Sequence, residues 1–206
     1  MNRRCLFLFS AALLGMAGCA SVTEMETKSQ PKLQIISVGD WGGTPMDATN
    51  IANARRHVPR LITLHHGGVA FLRDKDPKQY LRNLQSWSRG TRKWADIPYH
   101  YLIDLDGNVY EGRDINFAGD TNTAYDPTSH ALIVVLGNFE EVAPNPKQLD
   151  AATATMTMLA RRFQIGPDKI AGHKDFSADT ACPGKSLYPY LQSGYFRERV
   201  AANLAD

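Results

Sequence analysis

The sequence predicts an α/β fold: a central mixed β-sheet flanked by helices, in a single domain. Three observations carry that prediction. Strand-like and helix-like segments interleave from residue 33 to residue 206. One strand-like run, Ala131–Leu136, is apolar throughout, as a strand covered on both faces must be. With 206 residues, 43% apolar and 21% charged, the chain has a globular composition and the length of one ordinary domain.

The elements follow in order. Leu33–Val38 is apolar and β-branched and reads as a strand, and Asp47–His57 as a short helix. Arg60–His66 reads as a buried strand that ends at Gly67-Gly68, where the backbone bends easily. Asp76-Pro77 supplies an N-cap and a proline at the first helical position. Tyr80, Leu81, Leu84 and Trp87 then share one helical face up to Gly90. Tyr99–Leu105 and Val109-Tyr110 flank Asp106-Gly107, a hairpin turn. After Ala131–Leu136, Asn145-Pro146 opens a second helix. Its apolar stripe is Leu149, Ala152, Met156, Leu159 and Phe163, and Gly166-Pro167 should stop it. A last helix is expected from about Leu187 to Leu204.

The N-terminus has a different character. Asn2-Arg3-Arg4 is basic, and Leu6–Ala17 is a dozen uncharged apolar or small residues. A spanning helix needs about 20, so this run fits the core of an export signal. It ends in Leu14-Gly15-Met16-Ala17-Gly18-Cys19, which resembles a bacterial lipoprotein signal. That resemblance implies cleavage after residue 18 and acylation of Cys19. An ordinary cleaved signal with an incidental Cys is the alternative. The residue after Cys19 is Ala20 rather than Asp, as in lipoproteins sent to the outer membrane, facing the periplasm. Residues 20–32 read as a polar tether reaching at most about 45 Å, so the expected boundaries are signal 1–18, lipidated Cys and tether 19–32, and domain 33–206.

Charge and cysteine count narrow the function classes. A net charge of +2 is no electrostatic footprint for nucleic acid. Removing residues 1–18 takes away Arg3 and Arg4 and no acid, which brings 23 basic and 21 acidic residues to parity. Three Cys exclude a fully paired disulfide framework. On the signal reading Cys5 is discarded and Cys19 carries lipid, which leaves Cys182.

His65-His66 ends a strand, His173 lies in Ala-Gly-His-Lys-Asp, and Cys182 lies in Ala-Cys-Pro-Gly. Imidazole and thiolate are preferred zinc ligands, and three of them leave a fourth position for water, the catalytic arrangement. Strand alternation sends His65 and His66 to opposite faces, so only one easily meets a given metal. By spacing alone, each of these residues could equally be an ordinary core or surface residue.

Five motifs occur together in order: Leu64-His65-His66-Gly67; Ile97-Pro98-Tyr99-His100-Tyr101; Asp106-Gly107-Asn108-Val109-Tyr110-Glu111-Gly112-Arg113; Ile133-Val134-Val135-Leu136-Gly137-Asn138-Phe139; and Gly172-His173-Lys174-Asp175 with Cys182-Pro183-Gly184. Over about residues 60–190 they resemble the N-acetylmuramoyl-L-alanine amidase family shared with peptidoglycan-recognition proteins and phage amidases. The resemblance implies a zinc enzyme that cleaves the amide between N-acetylmuramic acid and L-alanine. Peptidoglycan or muropeptides would be its substrate. A non-catalytic peptidoglycan-binding lipoprotein is the alternative.

His65, His173 and Cys182 match the Zn2+ ligands, and Tyr99 matches a tyrosine that assists at the scissile carbonyl. Thr180 stands where some relatives carry a catalytic Lys, and is expected to orient the attacking water without acting as general base. Other relatives carry Glu in the strand that here reads Val134-Val135-Leu136, and many carry His where this chain has Asp120. His66, His100, His57 and His130 are expected to be structural. Glu111 and Arg113 are expected either to form a hairpin ion pair or to touch substrate, and Trp87 and Trp94 to be core or rim.

Overall fold

The structure, a computed structural model, describes residues 33–206. The expected signal, acylated Cys19 and tether lie outside the described residues. Among the described residues no helix is long and apolar enough to cross a membrane.

The sheet is organised around two strands that are buried on both faces. β2 (Leu61–His66) and β5 (His130–Val135) run parallel in register, from Leu61↔His130 to His66↔Val135. With β1 (Ile35–Ile36), β3 (Tyr101–Ile103), β4 (Val109–Glu111) and β6 (Ile170–Gly172) they form one six-stranded mixed sheet, in the order β1-β4-β3-β5-β2-β6. Among the described strands of this sheet, only β3 and β4 pair antiparallel.

Side-chain alternation splits the core into two layers. Ala131, Ile133 and Val135 of β5 and Ile62 and Leu64 of β2 pack with Met156, Leu159 and Phe196. These last belong to α3 (Pro146–Phe163) and α5 (Tyr195–Ala205). On the other face Val134 and Leu136 join Leu102, Trp41 and Leu81 of α2 (Pro77–Gly90). Each fully buried aliphatic side chain contributes roughly 1.5–3 kcal/mol. His65 follows Leu64, so the same alternation turns it away from the α3 layer.

Helix starts follow the expected chemistry. Asp76 accepts from Lys78 N to cap α2, and Asn145 with Gln148 forms a capping box on α3. The short helix α1 covers only Ala48–Ala52, behind an Asp47–Asn50 capping box. The hairpin is tied by the Asp104 carboxylate, which accepts from Asp106 N, Asn108 N and the Tyr110 hydroxyl. Gly107 needs to be glycine there: its φ is +80°, and a Cβ would lie 2.8 Å from Lys147 O.

Four further expectations change. The first strand is just two residues, Ile35–Ile36. Helix α3 ends before Gly166, because Gln164 adopts a left-handed conformation (φ 55°) and donates its N–H to Ala160 O. Pro167 then begins a single 3-10 turn that leads into β6, a strand absent from the expected elements. The last helix is two, α4 (Tyr188–Gln192) and α5, broken at Gly194 with φ 84°.

Candidate metal centre

Sheet register brings the first two residues of the site together. β2 and β6 pair in parallel with Leu64 opposite Gly172, so the next residue on each chain, His65 and His173, emerges at the same end of the sheet. Their rings are 4.7 Å apart, centroid to centroid. His173 begins a 3-10 turn, His173–Asp175, closed by Gly172 N donating to the Asp175 carboxylate.

Cys182 arrives on a loop pinned at several points. Lys174 N donates to Cys182 O at 3.0 Å and Ser186 N to Phe139 O at 2.9 Å. Gly184 has φ +95°, and a Cβ there would meet Phe139 C at 2.6 Å, so only glycine lets the loop approach this closely. His66 N donates to Cys182 Sγ at 3.4 Å, and Sγ is 3.5 Å from His65 Nδ1. One ligand atom from each of His65, His173 and Cys182 lies within 4.8 Å of the other two, and all three residues are buried.

This donor set suits Zn2+. Ligands at zinc–nitrogen and zinc–sulfur distances of ~2.0 and ~2.3 Å on a tetrahedron stand about 3.3–3.6 Å apart, close to the His65–Cys182 separation. Burial drives the His65 imidazole well below its usual pKa, with His173 adding to the effect, and takes His173 to about 4. Both rings are therefore neutral with a lone pair to offer. Burial pushes the Cys182 thiol up to about 12. A divalent cation beside it would reverse that preference, since thiolate is the form that binds. No carboxylate belongs to the group.

Tyr99, just before β3, places its ring 5.2 Å from that of His65. Burial raises its phenol well above the ordinary value, so it remains a hydrogen-bond donor. The Thr180 hydroxyl accepts from Cys182 N at 3.1 Å, which holds it beside the third ligand.

Comparison with known proteins shows what the chain resembles in sequence and fold. The family described as N-acetylmuramoyl-L-alanine amidase matches residues 54–185. This chain belongs to that family. Peptidoglycan-recognition protein SD of Drosophila simulans is 34% identical over 168 residues, covering 79% of this chain and 87% of its own. Among solved structures, a Drosophila PGRP-LB variant in complex with tracheal cytotoxin superposes with a TM-score of 0.66 at 25% identity, covering 80% and 96% of the two chains. The N-acetylmuramoyl-L-alanine amidase LysC of Clostridium intestinale gives 0.59 at 25%, covering 84% and 97%.

Of the other histidines of this amidase-family chain, three are held by backbone and His130 by a side chain. His66 Nδ1 accepts from Phe139 N at 3.2 Å. His100 is fully buried between Phe117 O and Leu132 N, and burial holds it at about 3. His57 bonds Ile115 O and Ser129 N, and His130 bonds the Thr63 hydroxyl.

Arg113 corrects an expectation: it neither pairs with Glu111 nor faces outward. Its guanidinium is 2% exposed, donates to the carbonyls of Ile97, Asp96 and Ala118, and pairs with Asp120. Asp120, where many members of the amidase family carry His, is thus the counter-ion of a buried arginine. Glu111 instead accepts from Val38 N through its carboxylate and from Trp41 Nε1 through its carbonyl. Trp87 and Trp94 form an edge-to-face pair with Arg92 over Trp94, and Trp87 is exposed, as a rim residue is.

The loop 118–129 supplies neighbours that the sequence did not single out. Thr123 Oγ1 is 2.8 Å from His173 Nε2 and 2.9 Å from Thr121 Oγ1. Tyr125 OH is 3.4 Å from His65 Nε2.

Proposed function

We propose that this chain is a zinc-dependent hydrolase that cleaves the amide between N-acetylmuramic acid and L-alanine in peptidoglycan or muropeptides. The observation that carries this reading is the convergence of His65, His173 and Cys182 from three separate segments into one buried group. These three residues would hold the metal, and three protein ligands are the number that leaves a position for water. Zinc, when bound, supplies Lewis acidity and a water acidic enough to act near neutral pH.

The chain's own residues do the rest. Tyr99 donates its O–H to the scissile carbonyl oxygen as negative charge develops there. Thr180, already anchored on Cys182 N, orients the attacking water by hydrogen bonding. Its neutral hydroxyl is far too weak a base to take the water's proton, so Thr180 is not the general base. Muropeptide binding is supported by the PGRP-LB relative, whose structure holds tracheal cytotoxin.

The test is product analysis by mass spectrometry on defined muropeptides. Wild-type protein should release free peptide, lose that activity in EDTA and regain it with zinc. Cys182→Ser should abolish cleavage and weaken zinc binding. Full activity of Cys182→Ser in chelating buffer overturns the proposal. Similarity to a peptidoglycan-recognition protein favours a second reading, peptidoglycan binding without turnover. Retained binding with no cleavage in zinc would select it.

We infer also that Cys19 is acylated and holds the domain at the outer membrane, facing the periplasm. The support is the apolar run that ends in Ala17-Gly18-Cys19-Ala20. Radiolabelled palmitate should enter the wild-type chain, and Cys19→Ala should move the protein to the soluble fraction.

A further inference from the structure

Each candidate histidine ligand has one ring nitrogen committed to the same loop. His173 Nε2 meets Thr123 Oγ1 at 2.8 Å, and His65 Nε2 meets Tyr125 OH at 3.4 Å. In both rings this leaves Nδ1, and for His65 that nitrogen is the one 3.5 Å from Cys182 Sγ. We propose that Thr123 and Tyr125 are positioning residues that fix the ring orientation of both histidines, so that Nδ1 of each faces the metal. The inference rests on the zinc reading above and adds to it a source of order for the ligands, the loop between β4 and β5.

The hydrogen-bond directions are self-consistent. A neutral imidazole that offers its Nδ1 lone pair to a cation carries its proton on Nε2. His173 Nε2–H then donates to Thr123 Oγ1, and the Thr123 hydroxyl passes its own hydrogen to Thr121 Oγ1 at 2.9 Å. Thr121 Oγ1 also accepts from Thr123 N at 3.2 Å, which closes a small turn and holds the Thr123 hydroxyl in place. Tyr125 is fixed separately by packing: its ring lies 5.8 Å from Phe176 and 5.3 Å from His130. Burial raises the Tyr125 phenol, so it stays uncharged as it accepts from His65.

Such outer contacts around a metal fix tautomer and ring angle, and their loss costs about 10- to 100-fold in metal affinity or activity. The experiment measures zinc affinity of the full chain by competition with a chromophoric chelator. It is paired with the visible spectrum of the Co2+-substituted protein, which reports ligand geometry. Thr123→Val, which removes the hydroxyl and keeps the shape, should weaken zinc binding about 10- to 100-fold and alter the cobalt spectrum. Thr123→Ser should keep wild-type affinity and spectrum. Tyr125→Phe keeps the ring and tests the His65 contact even if Thr123→Val fails to fold; it should weaken zinc binding in the same direction. Wild-type affinity in both Thr123→Val and Tyr125→Phe overturns the inference. So does a Thr123→Ser loss as large as that of Thr123→Val, because packing and not the hydroxyl would then be responsible. A wild-type chain that binds no zinc overturns the metal reading itself.

Discussion

At the scale of single residues, geometry separates chemistry from support. Tyr99 is close to His65 and outside the ligand group, so its removal should spare the metal. Tyr99→Phe is expected to lower kcat about 10²- to 10³-fold, as loss of an oxyanion donor does, with zinc content unchanged. Metal analysis beside steady-state kinetics checks both halves. Arg113 is the opposite case. Arg113→Met should lower stability by about 3–5 kcal/mol, because it strands Asp120 and three backbone carbonyls. Urea denaturation would read that loss.

The grouping of His65, His173 and Cys182, with Tyr99 beside it, was legible because imidazole and thiolate in ordered motifs narrow the choice to a few residues. Thr121, Thr123 and Tyr125 were not. Their loop has neither helical nor strand periodicity, and threonine at that spacing is ordinary turn composition. The partner of Arg113 was also hidden, since nothing in Gly-Arg-Asp tells a buried guanidinium from an exposed one.

At the scale of elements, the long periodic or uniformly apolar segments were legible and the short ones were not. β5 and α2 were found nearly to the residue, because a continuous apolar run and an N-cap followed by proline each have one structural solution. β6 is only Ile-Ala-Gly and makes no pattern of its own; its pairing with β2 creates it. Gln164 ends α3 in a conformation that glycine usually takes, so the eye passes on to Gly166. The loop after Cys182 carries its own prediction. Gly184→Ala must strain φ +95° and push against Phe139 backbone, so it should lower the melting temperature and loosen zinc together. Chelator competition and calorimetry on one sample would show the two falling in step.

For the molecule as a whole, buried and half-buried histidines contribute to the response to acid. His100 is pushed down to about 3, and His57 and His130 are also lowered, in each case chiefly by burial. In the unfolded chain these rings take up protons near pH 6.5. Stability from this source is therefore complete above about pH 6.5 and falls progressively as the solution is acidified toward pH 3. Each such ring removes at most ~1.4 kcal/mol for every tenfold rise in proton concentration. Urea midpoints at pH 7 and pH 5 should differ in that direction, and His100→Gln should flatten the dependence. The overall layering was predictable because a strand apolar on both faces demands cover on both.

The two ends of the strand order have a further consequence. The outermost strands of the six are β1 and β6, two and three residues long. An incoming strand from another molecule would find only a rung or two of free backbone on either side before the chain turns away, at Ser37–Gly43 or into the 3-10 turn at His173. Long flat edges are what nucleate β-aggregates, and very short ones are a natural defence against them. Among the described residues, the sheet therefore offers little edge along which it could grow from one molecule into the next.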